Sequence, residues 1–118
     1  MATVISAWTA TSPFGHGRAA FVDGVRAGRP APAVTAADDW HPEPDTGHQV
    51  PDFDIENELG RKGTGSMDRT TALAVRTLGR LCEDEVVPDE RTGMVLGTTS
   101  GSAQTQFAFT AESLTRRK

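Results

Sequence analysis

Residues 3–8 alternate Val4, Ser6 and Trp8 on one side of an extended chain with Ile5 and Ala7 on the other, so apolar groups fall on both faces. A strand of that kind belongs in the interior of a layered structure, covered above and below. Met94, Val95 and Leu96 repeat the signal in a short apolar run between Gly93 and Gly97. Helical patterns lie between and after the two runs, and strands joined through helices are expected parallel in one sheet. Two strands make a poor sheet, however, and helices on both of its sides need more strands to cover. The chain therefore reads as an α/β arrangement that is incomplete on its own, to be finished by more chain or by a partner.

The helices are marked by apolar spacing and by their ends. After the break at Ser12-Pro13-Phe14-Gly15, Ala20, Phe21 and Val25 predict a helix over residues 16–27, stopped by Gly28. Residues 52–59 can form a short helical turn, and Gly60-Arg61-Lys62-Gly63-Thr64-Gly65-Ser66 reads as a flexible basic loop. A second helix follows, with Ser66 as N-cap and Asp68 in the first turn, where negative charge suits the helix dipole. Thr71, Ala74, Val75, Leu78, Leu81 and Cys82 form its apolar stripe, and Arg69, Arg76, Arg80 and Glu83 lie mostly off it. A third helix carries Ala103, Phe107, Ala111 and Leu114 on one face and runs into the positive charge of Arg116, Arg117 and Lys118.

Composition narrows the function. The 118 residues suffice for one small domain with a modest core. Hydrophobic residues make up 36%, below the usual share, and much of the polarity sits in residues 29–51, which hold five of the seven prolines. That stretch reads as an excursion over the surface, because neither flank is large enough to fold well alone. A net charge of −4 argues against nucleic-acid binding and against an anionic-membrane anchor. With no apolar run of membrane-spanning length and no leader pattern at the N-terminus, a cytoplasmic location is expected.

Candidate chemistry is sparse. Cys82 is the one cysteine, which excludes an intrachain disulfide and a cysteine-based zinc site, and it reads as a small buried thiol. His16, His41 and His48 match no metal-ligand spacing, so no metal or cofactor is expected. The glycine loop at 60–66 has neither Walker A nor dinucleotide-binding spacing. Leu96-Gly97-Thr98-Thr99-Ser100-Gly101-Ser102 leads a strand into a helix through small residues, a turn whose backbone N–H groups can hold an anion or simply permit a tight reversal. No nucleophile elbow accompanies the scattered serine, histidine and aspartate residues. The acidic pairs Asp38-Asp39 and Glu83-Asp84 read as solvated charge.

Several segments together resemble the opening of a β-ketoacyl synthase, a condensing enzyme of the thiolase fold. They are the 4–15 run ending in Ser12-Pro13-Phe14-Gly15, then Ala20-Phe21-Val22 and Arg26-Ala27-Gly28, then Val50-Pro51-Asp52-Phe53-Asp54. Met67-Asp68-Arg69, Leu81-Cys82-Glu83-Asp84 and Val95-Leu96-Gly97-Thr98 complete the series. No one motif is specific; their order and spacing across nearly all 118 residues carry the likeness.

The resemblance implies that residues 1–118 are the N-terminal segment of a thiolase-like fold, with parallel or mixed sheet between helices and a proline-rich excursion at 29–51. It implies a decarboxylative condensation in fatty-acid or polyketide synthesis, between an acyl group on a cysteine and malonyl on an acyl carrier protein. The family's catalytic cysteine, histidines and lysine fall downstream of the positions matched here, and neither Cys82 nor the three histidines stand in their places. No catalytic residue is therefore assigned to this chain, which is expected to be inactive alone. Its expected partners are the remaining part of a ketosynthase or a second ketosynthase subunit, together with the carrier protein. By position, Arg61 and Lys62 would help dock that acidic protein, and Thr99 and Ser100 would form part of the acyl-pocket wall. An alternative is a non-catalytic partner, like a chain-length factor, that tunes a complete synthase. A weaker one is a small module binding a phosphorylated ligand at residues 98–102.

Overall fold

The structure, a computed structural model, describes residues 2–36, 45–84 and 86–116. Asp38, Asp39, His41, Arg117 and Lys118 lie outside the described residues. Thr11–Ser12 (β1) and Gly15–His16 (β2) pair antiparallel around Pro13 and Phe14, with Thr11 opposite His16 and Ser12 opposite Gly15. The helix Gly17–Arg26 (α1) follows directly. It ends as its sequence predicts: Ala27 N–H reaches Asp23 O, and Gly28 turns the chain at φ +62°, a left-handed conformation that costs glycine little.

Within the proline-rich stretch, Val34–Ala36 (β3) and Asp45–Gly47 (β4) form a second antiparallel pair. Ile55–Leu59 (α2) is a short helix whose first turn is closed by Asp54, which accepts a hydrogen bond from Asn57 N–H at 2.9 Å. Arg69–Asp84 (α3) and Ala103–Thr115 (α4) complete the order. Among the described residues, no helix is long and apolar enough to cross a membrane.

Two expectations fail together. Residues 3–8 and 94–96 belong to no strand, and the described sheets are two short antiparallel pairs rather than one parallel sheet. The reason is physical. A segment apolar on both faces becomes a strand only when neighbours take its backbone N–H and C=O groups. Here Val4, Ile5, Met94 and Leu96 are 74%, 86%, 72% and 69% exposed. The cap of α3 also differs: Asp68, not Ser66, accepts from Thr71 N–H at 2.7 Å, immediately before the first helical residue.

Packing concentrates around α3. Ala72 is fully buried on it, and Phe53 and Thr64, earlier in the chain, are buried as well. The Arg69 guanidinium donates to the carbonyls of Phe53 (3.0 Å) and Val50 (3.2 Å) and lies 5.3 Å from the centre of the Phe53 ring. Within the 60–66 loop, Thr64 Oγ1 donates to Gly60 O at 2.6 Å. Thr77 donates its hydroxyl proton to Leu73 O, so in its 2.6 Å bond with Thr11 the proton comes from Thr11. That bond ties the first hairpin to α3. Trp8 meets Phe21 of α1 edge-on, with ring centres 6.1 Å apart.

The modest core expected from the chain's length is smaller still. The accessible surface is 9808 Å², against about 6,200 Å² for a compact monomer of this mass. The radius of gyration is 17.6 Å, against about 13.5 Å for a compact domain of this length. The polypeptide is folded locally and open globally.

Gly24 offers a test of the one close approach in the first hairpin. A Cβ there would lie 2.2 Å from Phe14 Cγ and 2.8 Å from Phe14 Cβ. In an open helix Gly→Ala stabilises by about 1 kcal/mol, whereas overpacking costs about 1–3 kcal/mol. Gly24→Ala is therefore expected to lower the melting temperature, and a rise would show that Phe14 does not pack on α1 as described.

Candidate functional site

The apolar stripe of α3 faces two open grooves. One, of about 510 Å³, lies between Leu73, Thr77 and Leu81 of α3 and the extended residues Ala7, Trp8 and Thr9. The other, of about 490 Å³, lies between Thr70, Thr71 and Val75 of α3 and residues Met94, Val95, Gly97 and Thr98, with Gly101 and Ser102 at its edge. Ala74 and Leu78 of α3, together with Leu96, line both. The stripe read from the sequence is thus real, but its partners are two bare extended segments instead of a closed core. Cys82 is half-buried on the same helix.

Thr99 and Ser100 are exposed in the turn before α4, while their neighbours Thr98, Gly101 and Ser102 line the second groove. Gly101 N–H donates to Thr98 Oγ1 at 2.9 Å, closing the turn on itself. Arg61 and Lys62 are exposed, and the Arg61 guanidinium bonds Glu56 at 2.9 Å. The structure therefore sets Thr99 and Ser100 next to a groove and Arg61 and Lys62 on a separate loop. His16 and His48 lie 3.3 Å from the carbonyls of Pro51 and Pro32, contacts that serve local structure. Among the described residues no group of three His, Cys, Asp or Glu side chains is placed to hold a metal ion.

Two carboxylates that the sequence did not single out as contacts organise this region. Glu58 Oε2 accepts from Arg76 Nε at 2.7 Å and from Arg80 Nη2 at 3.0 Å, with all three side chains less than a quarter exposed. Arg76 also bonds Glu83 at 3.0 Å. The Arg76 hydrogen bond, against a smaller opposing effect of burial, holds the Glu58 carboxyl below the usual glutamate range. This clamp fastens α2, and the basic loop behind it, to α3. Asp68 does comparable work at the other end. The hydroxyl of Ser102, the N–H and hydroxyl of Thr71 and the hydroxyl of Thr105 together hold its carboxyl below the usual aspartate range. A helix-start signal did exist for Asp68, which stands directly before Arg69; nothing local pairs Glu58 with arginines 18 and 22 positions on.

An α3 face flanked by two segments that pair in no described sheet, with a small-residue turn leading to another helix, frames both grooves. No family model matches the chain, and no curated protein does. Among solved structures it is similar to one described as "The ishigamide ketosynthase/chain length factor", with a TM-score of 0.87 and 44% sequence identity. The likeness covers 98% of this chain and 34% of that one, so the chain spans about a third of its relative's length. The chain is a ketosynthase-like segment, as the order of its motifs implied.

The Glu58 clamp is testable by charge removal. Glu58→Gln keeps the shape and removes the charge, at an expected cost of about 1 kcal/mol at neutral pH. Because the folded carboxyl titrates below its unfolded value, the contribution is full above the ordinary glutamate range and disappears as pH falls through the lower folded value. Chemical denaturation of wild type and variant should give stabilities that differ at pH 7 and converge as the pH is taken well below the ordinary glutamate range. A constant difference across that range would remove Glu58 from the account.

Proposed function

We propose that this chain is the N-terminal part of a β-ketoacyl synthase-like condensing enzyme, contributing sheet, subunit interface and acyl-pocket wall to a thiolase-like fold. Residues 1–118 are that segment, and 29–51 form its surface excursion. The catalytic cysteine and histidines belong to polypeptide beyond this chain, and the pathway is polyketide or fatty-acid synthesis in the cytoplasm. One observation carries the reading: the segments left bare beside α3 occur in a chain that matches one third of a ketosynthase/chain length factor structure over 98% of its own length. The remaining two thirds of such a protein would supply the missing strands.

In this reading Thr99 and Ser100 belong to the pocket wall, where small side chains leave room for a longer or more polar acyl chain. Arg61 and Lys62 face the acidic carrier protein. Arg61 is already engaged with Glu56, and exposed ion pairs contribute about 0–1 kcal/mol each, so docking here adds orientation more than affinity. A second reading, a non-catalytic partner resembling a chain length factor, is supported by the double description of the similar structure.

Reconstitution separates the two. The chain alone should show no condensation of acyl and malonyl groups on a carrier protein. Joined to a ketosynthase C-terminal portion bearing the cysteine, it should condense them, and replacing that cysteine by alanine should abolish the activity. Activity that survives the replacement in the presence of an intact synthase would establish the second reading. Absence of activity in every combination, without binding to a synthase, would contradict both.

A further inference from the structure

Asp68 stands directly before α3, whose side chains line the second groove, and close to the first turn of α4. Its Oδ1 accepts the Thr71 N–H of α3 at 2.7 Å, and its Oδ2 lies 3.4 Å from Thr105 Oγ1 of α4. The described residues of α4 from Thr105 onward are exposed, so little apolar packing fixes this helix to the rest of the chain. Residues 98–102, whose small side chains edge the groove, connect directly into its first turn. We infer that Asp68 is a positioning residue: by capping α3 with one oxygen and holding the first turn of α4 with the other, it sets where the 98–102 turn sits over the groove.

The arrangement has a physical logic. An aspartate at a helix N-cap uses one oxygen for its own helix and leaves the second free for another element. A charged acceptor strengthens each of these bonds relative to a neutral one. Of the influences that hold this carboxyl below the usual aspartate range, the largest comes from the hydroxyl of Ser102, the residue that precedes α4. One side chain therefore couples the origin of α3 to the origin of α4, and through them the floor of the groove to its rim. The inference deepens the proposed function, since it rests on the reading of that rim as acyl-pocket wall for the specificity it would confer.

The test uses the whole 118-residue chain and amide hydrogen exchange resolved by residue. Thr105→Val combined with Ser102→Ala removes the hydroxyl donors and leaves the α3 cap intact. Exchange across residues 98–106 is expected to accelerate about tenfold, the scale of a lost hydrogen bond to a charged acceptor, while residues 70–84 keep their protection. Thr105→Ser, which retains the hydroxyl, should exchange as wild type does. Asp68→Ala should accelerate 98–106 and fray the first turn of α3 as well. Unchanged exchange at 98–106 in the double variant, or equal loss in Thr105→Ser and Thr105→Val, would overturn the inference, as would a wild-type chain with no protection there. Failure of the ketosynthase reading registers separately, as absent condensing activity, and leaves the exchange pattern as it is.

Discussion

Backbone hydrogen bonding is the constraint on which this structure turns. An extended segment with apolar side chains on both faces needs strands beside it and helices or sheet above and below. Among the described residues neither 3–8 nor 94–96 is paired in a sheet; Ala7, Trp8 and residues 94–96 line grooves beside α3, and Val4, Ile5, Met94, Val95 and Leu96 are exposed. The rest follows. With no sheet to close, the interior reduces to Ala31, Phe53 and Ala72 as its buried apolar residues among those described, and the grooves beside α3 stay open.

What holds the chain together instead is a set of polar ties to α3. Arg69 gathers the 50–54 segment, Glu58 fastens α2, Thr11 joins the first hairpin through Thr77, and Asp68 reaches α4. Each tie is modest, because hydrogen bonds exchanged with water contribute about 0.5–1.5 kcal/mol net. Their common feature is that they join one end or edge of a local element to the same helix. The polar ties define geometry, and the apolar grooves they frame stay open among the described residues.

The helices were legible because a 3.6-residue apolar period and end signals such as Gly28 act locally. The strand signal at 3–8 and 94–96 was of another kind. It reports the environment of the completed protein, and so it misdescribes a chain that carries only part of that environment. Ser12-Pro13-Phe14-Gly15 was readable as a break but not as a hairpin, since its paired segments are two residues each. The pair Val34–Ala36 and Asp45–Gly47 was hidden in a proline-rich stretch, since three-residue strands carry too little alternation to read. At the site, the α3 stripe was visible, whereas the pairing of Glu58 with Arg76 and Arg80 was not, because contacts between elements leave no local pattern. The family likeness was legible from motif order, and it is the finding the similar structure supports most directly.

Native mass spectrometry of the protein purified gently from its own source tests the central claim, that this segment is an open part of a ketosynthase-like assembly. The expected result is a particle several times heavier than 12.6 kDa in which the segment is continued by, or bound to, a ketosynthase-like polypeptide bearing the catalytic cysteine. A stable, folded monomer at 12.6 kDa with no such companion would contradict it.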